Sequence, residues 1–399
     1  MPLFKPTESE FAEQIVRTLA GRNVPSKYEP EAGRILTQNG LNIYLGNFYR
    51  DYCAAPFWRR GKVIDHYLSI LDQTSTAEPE TPEQARVCLM PKVRERAYTE
   101  LANLRVRQEG KPTLEIQQRI FGGGHLTLEV VYDTPRFTRS ITPKSLEEWG
   151  LTFDDALGIA NENLKRRSGG GGFEVVRPGL FRSTWRDTFD ASRMHLPDFV
   201  TPLPVKGRHV AMVPNRDVLL ITGEGDAECL AAMAKVAEGV LNEPRPMNGL
   251  AFRLDAGWVP FLPPVDHPAY KGLKTLQVKS MAGDYATQKS LLDAQFAKEQ
   301  TDLFVASVMA YNDKAGIPFS MASWAENVDG LLPRTDYIGF SGTGADGKPG
   351  MLGIADWEDA ERVAPELLEA QGMYPERYRT RGFPTQTQLD AIGLRSTPR

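Results

Sequence analysis

Cysteine is scarce in this chain. Cys53, Cys88 and Cys229 are the only three, they lie far apart, and none forms a C-x-x-C pair. That spacing argues against a cysteine zinc site and against the disulfide framework of a secreted domain. Each reads as a small buried hydrophobe. Histidine is nearly as sparse, with His66, His125, His195, His209 and His267. No two stand four apart on one helix and no H-E-x-x-H occurs, so local spacing supplies no metal ligand set. Neither a metal nor a cofactor is expected. Long apolar runs are missing as well. No stretch reaches the roughly 18 residues of a membrane span, and Met1–Arg22 has no basic segment ahead of an apolar run. Neither a membrane anchor nor a signal peptide is expected, and the cytoplasm is the expected location. A large charge of one sign is also lacking. A formal net charge of −4 over 399 residues gives no bulk attraction to nucleic acid or an anionic membrane.

What is present is globular. Hydrophobic residues make up 41% and charged residues 25% of the chain, enough for several packed cores. The length suggests two or three domains. The first unit, 1–73, reads as helix, hairpin and helix. Phe11, Ile15, Val16 and Leu19 recur at helical spacing, Asn39-Gly40 is a favoured hairpin turn, and Val63, Ile64, Tyr67, Leu68 and Leu71 form a second stripe. Residues 74–82 read as a linker. Thr81, Pro82 and Gln84 then carry the pattern of a helix start, and a helix broken near Pro91 is expected to run to about Val106.

The second unit, 83–265, holds strands near 116–121 and 126–133 and a helix that Thr152 caps. Four glycines at 169–172 read as a mobile loop. A hairpin 209–222 and a helix 227–241 follow, then strands 250–254 and 258–261. Pro260, Pro263, Pro264 and Pro268 mark the boundary to a third unit, 270–399. There we expect a helix at 287–298, four strands near 302–311, 319–325, 336–340 and 351–356 in an antiparallel sheet, and helices at 358–370 and 386–392. The fold class expected is α+β, built of helix-plus-antiparallel-hairpin units with an added C-terminal α+β domain.

The middle of the chain resembles the YtpQ-like family of bacterial proteins. The residues that carry the resemblance are Asp190-Ala-Ser-Arg193, the run from Val210 through Pro214-Asn-Arg-Asp217 to Leu220, the helix from Ala227, Pro246-Met-Asn-Gly-Leu-Ala-Phe-Arg253 and Gly257-Trp-Val-Pro260. The stretches 11–71 and 141–164 fit it more loosely. The resemblance covers roughly 10–265 and implies no activity, because none is established for the family.

The motifs of common chemistry each fail at a required residue. Gly342 through Gly347-Lys348 nearly makes a phosphate loop, but Pro349 stands where the magnesium-binding hydroxyl belongs and a strand follows, so a hairpin is expected. Gly223-Glu-Gly225-Asp-Ala-Glu228 opens a helix, but it lacks the third glycine and carries three carboxylates, so Asp226 reads as a helix cap. No G-x-S-x-G is present. The basic runs Lys165-Arg-Arg167 and Arg377-Tyr-Arg-Thr-Arg381 read as solvated charge rather than a nucleic-acid surface. The densest polar cluster is Arg182, Trp185, Arg186, Asp187, Asp190, Arg193 and His195. Asp190 and Arg193 stand three apart and are expected to pair, anchoring the connection 191–207. On these grounds the chain reads as a non-catalytic binding or scaffold protein with a protein or peptide partner. The alternative is an enzyme with a site around Asp187, Asp190, Arg193 and His195.

Overall fold

The computed structural model describes residues 5–30, 33–38, 42–71, 81–113, 115–134, 138–344 and 347–397. The fold is α+β. The N-terminal helix Glu8–Gly21 opens on a capping box between Thr7 and Glu10 and buries Phe11, Ala12, Ile15 and Leu19. These pack on a three-stranded antiparallel sheet, Ser26–Glu29, Arg34–Thr37 and Asn42–Tyr44. The helices Leu45–Ala54 and Arg60–Leu71 complete the unit, with the Phe11 ring 4.9 Å from Phe48 and 4.7 Å from Tyr52. The expected Asn39-Gly40 turn, and all of the expected linker before Thr81, lie outside the described residues.

Thr81 accepts from the Gln84 N–H and caps a helix, as its sequence context suggests. That helix is short, Pro82–Cys88. The chain then runs as a strand, Leu89–Glu95, before a second helix, Arg96–Gln108. Pro91 thus lies inside a strand and does not break a helix. The strand is at the edge of its sheet, where a missing N–H costs no ladder bond. It pairs with Leu126–Asp133.

The main sheet is six-stranded and antiparallel, in the order Trp258–Phe261, Ala251–Leu254, His209–Asn215, Val218–Gly223, Leu180–Ser183, Phe173–Arg177. Alternation puts Val210, Met212 and Leu220 on one face, under Leu230, Met233 and Ala237 of the helix Ala227–Leu241. Ala211, Val213, Leu219 and Ile221 face the other way, into a core shared with the strands 89–95 and 126–133 and the helix Phe153–Arg167. The glycine tract is not a free loop. Gly171 lies against Trp185, where any Cβ would clash with the indole, and the Trp185 N–H donates to the Ser168 carbonyl at 3.0 Å.

The helix expected over 287–298 is far longer, Tyr270–Glu299. It meets different neighbours along its length, so no continuous apolar stripe betrays it. Leu273 and Leu276 join the core under helix 227–241, while Leu292 packs with Val305 and Leu331. Beyond it stand two four-stranded sheets, and not the one antiparallel sheet expected. Both are mixed. Phe304–Val305 runs parallel to Gly330–Pro333, and Pro318–Ala325 runs parallel to Tyr337–Thr343. The strand 330–333 sits between the latter two in sequence but belongs to the other sheet, which makes the crossover possible. Tyr337–Thr343 and Pro349–Asp356 form the expected hairpin. The expected helix 358–370 ends at Val363, and Leu368–Ala370 is a strand.

Arg377 is 1% exposed at the centre of this region. Its guanidinium donates to Gln288 Oε1 at 2.6 Å and to the carbonyls of Ala306 and Leu331 at 2.8 and 3.0 Å, and so ties the long helix to one sheet. Arg379 pairs with Asp329 and Arg381 with Glu369. Each arginine of this run therefore has a structural partner. Replacing Arg377 with Met removes the donors and leaves buried acceptors unpaired. The expected loss is about 2–4 kcal/mol of stability, read by urea unfolding. Loss of less than a kilocalorie would show that the carbonyls find other partners.

Candidate functional site

Three of the four residues singled out in sequence form a closed structural knot. Arg193 is 0% exposed. It donates two parallel bonds to the Asp187 carboxylate at 2.9 and 2.8 Å and a third to Ser168 Oγ at 2.8 Å, and its guanidinium lies 4.1 Å from the Trp185 ring centre. Its partner is therefore Asp187, not Asp190. The reason is local: Arg186 and Thr188 adopt positive φ, and this tight turn swings Asp187 under the guanidinium. Asp190 instead accepts from the Asp187 N–H at 3.2 Å, which pins that turn. Burial pushes the Asp190 carboxyl up, against hydrogen bonds from Ser183, Arg186 and Asp187. Burial also acts on Asp187, but the Arg193 guanidinium outweighs it and holds that carboxyl low. His195 makes no hydrogen bond to any of the three, and burial, with the Arg119 charge, depresses it. The cluster locks the glycine tract to the hairpin. It does not converge on a ligand.

The other candidates are also engaged. Asp226 caps helix 227–241 by accepting from Cys229 N–H, Glu224 pairs with Arg208 at 2.7 Å, and Glu228 pairs with Arg177. Lys165 reaches Glu162 and Asp198, and Arg167 reaches Asp133. Among the described residues, no group of three His, Cys, Asp or Glu side chains can hold a metal ion. No helix among them is long and apolar enough to cross a membrane.

The concave site lies elsewhere. A cleft of about 680 Å³ opens where the N-terminal unit, the strand 89–95, the loop 245–247 and the long helix meet. Six basic side chains line it, including Lys92, Arg94, Arg216 and Arg245, against the three carboxyls of Glu8, Glu95 and Asp284. Some of this charge is neutralised from outside. Arg94 pairs with Glu129, and Arg245 pairs with Asp51 and accompanies the Tyr67 hydroxyl, which joins the N-terminal unit to the core.

Lys92 is different. It is 4% exposed, and its ammonium donates to the Thr188 carbonyl at 2.6 Å and lies 4.4 Å from the centre of the Phe189 ring. Among the described residues, no carboxylate lies within ion-pair distance of it. Burial, reinforced by the charges of Arg94 and Arg216, pulls its pKa down to about 7. Arg216, on the hairpin turn beside it, is also depressed by burial and by Arg245, and its Nε meets Asp217 at 3.5 Å in an ion pair without hydrogen-bond geometry. Glu95, at the end of the same strand, shares a hydrogen bond with Asp284 of the long helix. Burial and then the neighbouring carboxyl raise Glu95 well above the carboxylate range, and burial pushes Asp284 up to about 7. At neutral pH this pair retains a proton. Behind it the Tyr374 hydroxyl meets His125 Nδ1 at 2.7 Å and Arg96 lies over the Tyr374 ring. Burial and Arg96 hold His125 near pKa 4, so it is neutral.

Sequence reasoning missed this cleft because its residues come from separate segments between Glu8 and Thr287. Reading 89–95 as helix also hid the one local signal, a lysine within a run of Leu89, Met90, Pro91 and Val93.

Two outcomes follow. Asp187→Ala is expected to cost about 3–5 kcal/mol, because it leaves the buried Arg193 charge without a carboxylate, while Asp190→Asn costs clearly less. Equal losses in chemical unfolding would contradict that division. For Lys92 the sign runs the other way. Below about pH 7 the lysine is charged folded and unfolded, and the desolvation cost stands in full. Between pH 7 and the ordinary lysine value the folded chain sheds the proton first, and the cost fades. Lys92→Met is therefore expected to stabilise the fold by roughly 3–5 kcal/mol at pH 6 and by much less at pH 10. A destabilised Lys92→Met at pH 6 would contradict this. No family model matches the chain, and no curated protein or solved structure is similar to it.

Proposed function

We propose that the protein is a non-catalytic binding protein that holds an anionic ligand in the cleft between its N-terminal unit and its core. The observation that supports this is Lys92. A buried ammonium with no carboxylate partner costs folding energy, and beside it the Arg216 Nε has only a loose ion pair, with Asp217 at 3.5 Å. A carboxylate or phosphate entering the cleft would supply the anionic partner that Lys92 lacks and a second one for Arg216. The cleft volume suits a small molecule or the acidic side chain of a partner peptide. The three cysteines are all unpaired, in keeping with a reducing, cytoplasmic setting. We also propose membership of the YtpQ-like family, whose characteristic stretch here is the hairpin that carries Arg216 and its following helix.

An enzyme remains the second reading, moved from the Asp187–Arg193 knot to the cleft. A carboxyl that keeps its proton near pH 7 is the equipment of a general acid, and Asp284 has that property. A ligand recovered unchanged after long incubation favours the binding protein. Asp284-dependent conversion favours the enzyme.

The test is calorimetric titration with citrate and with inorganic phosphate. Saturable binding of at least one is expected, with proton uptake and with affinity falling from pH 6 to pH 9 as Lys92 discharges. Lys92→Met should weaken binding and flatten the pH dependence. Absence of binding by both anions, or binding that Lys92→Met leaves untouched, would overturn the proposal.

A further inference from the structure

The sheet formed by Met309–Asn312, Pro318–Ala325, Tyr337–Thr343 and Pro349–Asp356 has an outer face that the cleft does not use. In the second strand Ala322 and Trp324 enter the core, so Phe319 and Met321 point outward. The register carries this pattern across the sheet. Met309 lies opposite Met321, Tyr311 opposite Phe319, Met321 opposite Tyr337, and Met351 opposite Ser341. Three methionines on three strands thus share one face. The central strand between Met321 and Met351 places Gly339 there. A Cβ at Gly339 would lie 3.5 Å from the Met321 sulfur and 3.5 Å from the Met351 sulfur. The glycine leaves room there, bounded by the Met351 methyl at 3.3 Å and by the two sulfurs, which come from the strands on either side. Met309 and Met351 are 41% and 58% exposed, so the face is open to solvent.

We infer that this face is a thioether site for a soft monovalent cation of the Cu(I) class, held by Met321 and Met351 across Gly339 with Met309 as third donor. Thioether sulfur is soft and uncharged, so it selects Cu(I) over zinc, magnesium or calcium. Three rotatable bonds let each methionine bring its sulfur onto a common ion. Phe319 and Tyr337, in edge contact with ring centres 5.2 Å apart, provide an aromatic wall that also favours a cation. The ion binds and leaves as Cu(I), with no redox step. A thioether carries no proton to release, so the affinity is independent of pH, unlike that of a cysteine or histidine site.

The experiment is an anaerobic Cu(I) titration against a chromogenic chelator at pH 5 and pH 8. It compares the full chain with the triple variant Met309→Leu, Met321→Leu, Met351→Leu. Leucine keeps the apolar area and volume, and the cysteines contribute equally to both proteins. The triple variant is expected to hold one Cu(I) equivalent fewer, with the same difference at both pH values. Gly339→Ala, which fills the space between the sulfurs but removes none, should weaken that equivalent. Ag(I), soft and redox-inert, should protect Met321 and Met351 from peroxide oxidation, read residue by residue by mass spectrometry. Identical Cu(I) stoichiometry in wild type and triple variant, or no protection by Ag(I), would overturn the inference and leave the face simply apolar.

Discussion

An ammonium group removed from water, with a carbonyl and an aromatic ring for company but no carboxylate, governs this molecule's central cleft. Lys92 projects from a strand whose neighbours Leu89, Met90 and Val93 are all buried. Its contact with the Thr188 carbonyl places it directly on the strained turn that Arg193 and Asp187 hold in place. The knot and the cleft are therefore consecutive parts of one arrangement. The Arg193 pair fixes the turn, the turn fixes the lysine's one acceptor, and Thr188 N–H in turn donates to Asp217 at the hairpin tip that carries Arg216.

The cleft combines two kinds of perturbed group. Burial weakens the hold of Lys92 and Arg216 on their protons, and it strengthens that of Glu95 and Asp284. Both shifts have the same origin, since a low-dielectric setting disfavours charge of either sign. The result is a cleft with an excess of hydrogen-bond donors and few acceptors. An anion satisfies those donors better than water can, because it compensates charge as well as hydrogen bonding.

The elements legible in sequence are those whose signal is local. Thr81, Thr152 and Asp226 cap helices because a short polar side chain can reach an N–H three residues on. The hairpin 209–223 was readable from its apolar runs around a polar turn. The strand 89–95 was not, because Pro91 is a breaker in most settings and only its edge position makes it harmless. The helix 270–299 was obscured because its partners change along its length. The parallel pairings of the C-terminal sheets depend on a strand crossing to another layer, which no window of sequence contains. Spacing alone pairs Arg193 with Asp190, whereas the structure pairs it with Asp187. The φ values of Arg186 and Thr188 decide that pairing, and neither is a residue that advertises a left-handed turn. The cleft itself is a purely tertiary object.

The most direct test of this account is an NMR titration of the Lys92 ammonium, in protein labelled at the lysine side chain, with and without saturating citrate. The account predicts a midpoint near 7 in the free protein and a clear upward shift when the anion is bound. A midpoint near the ordinary lysine value in the free protein, or one that citrate fails to move, would contradict it.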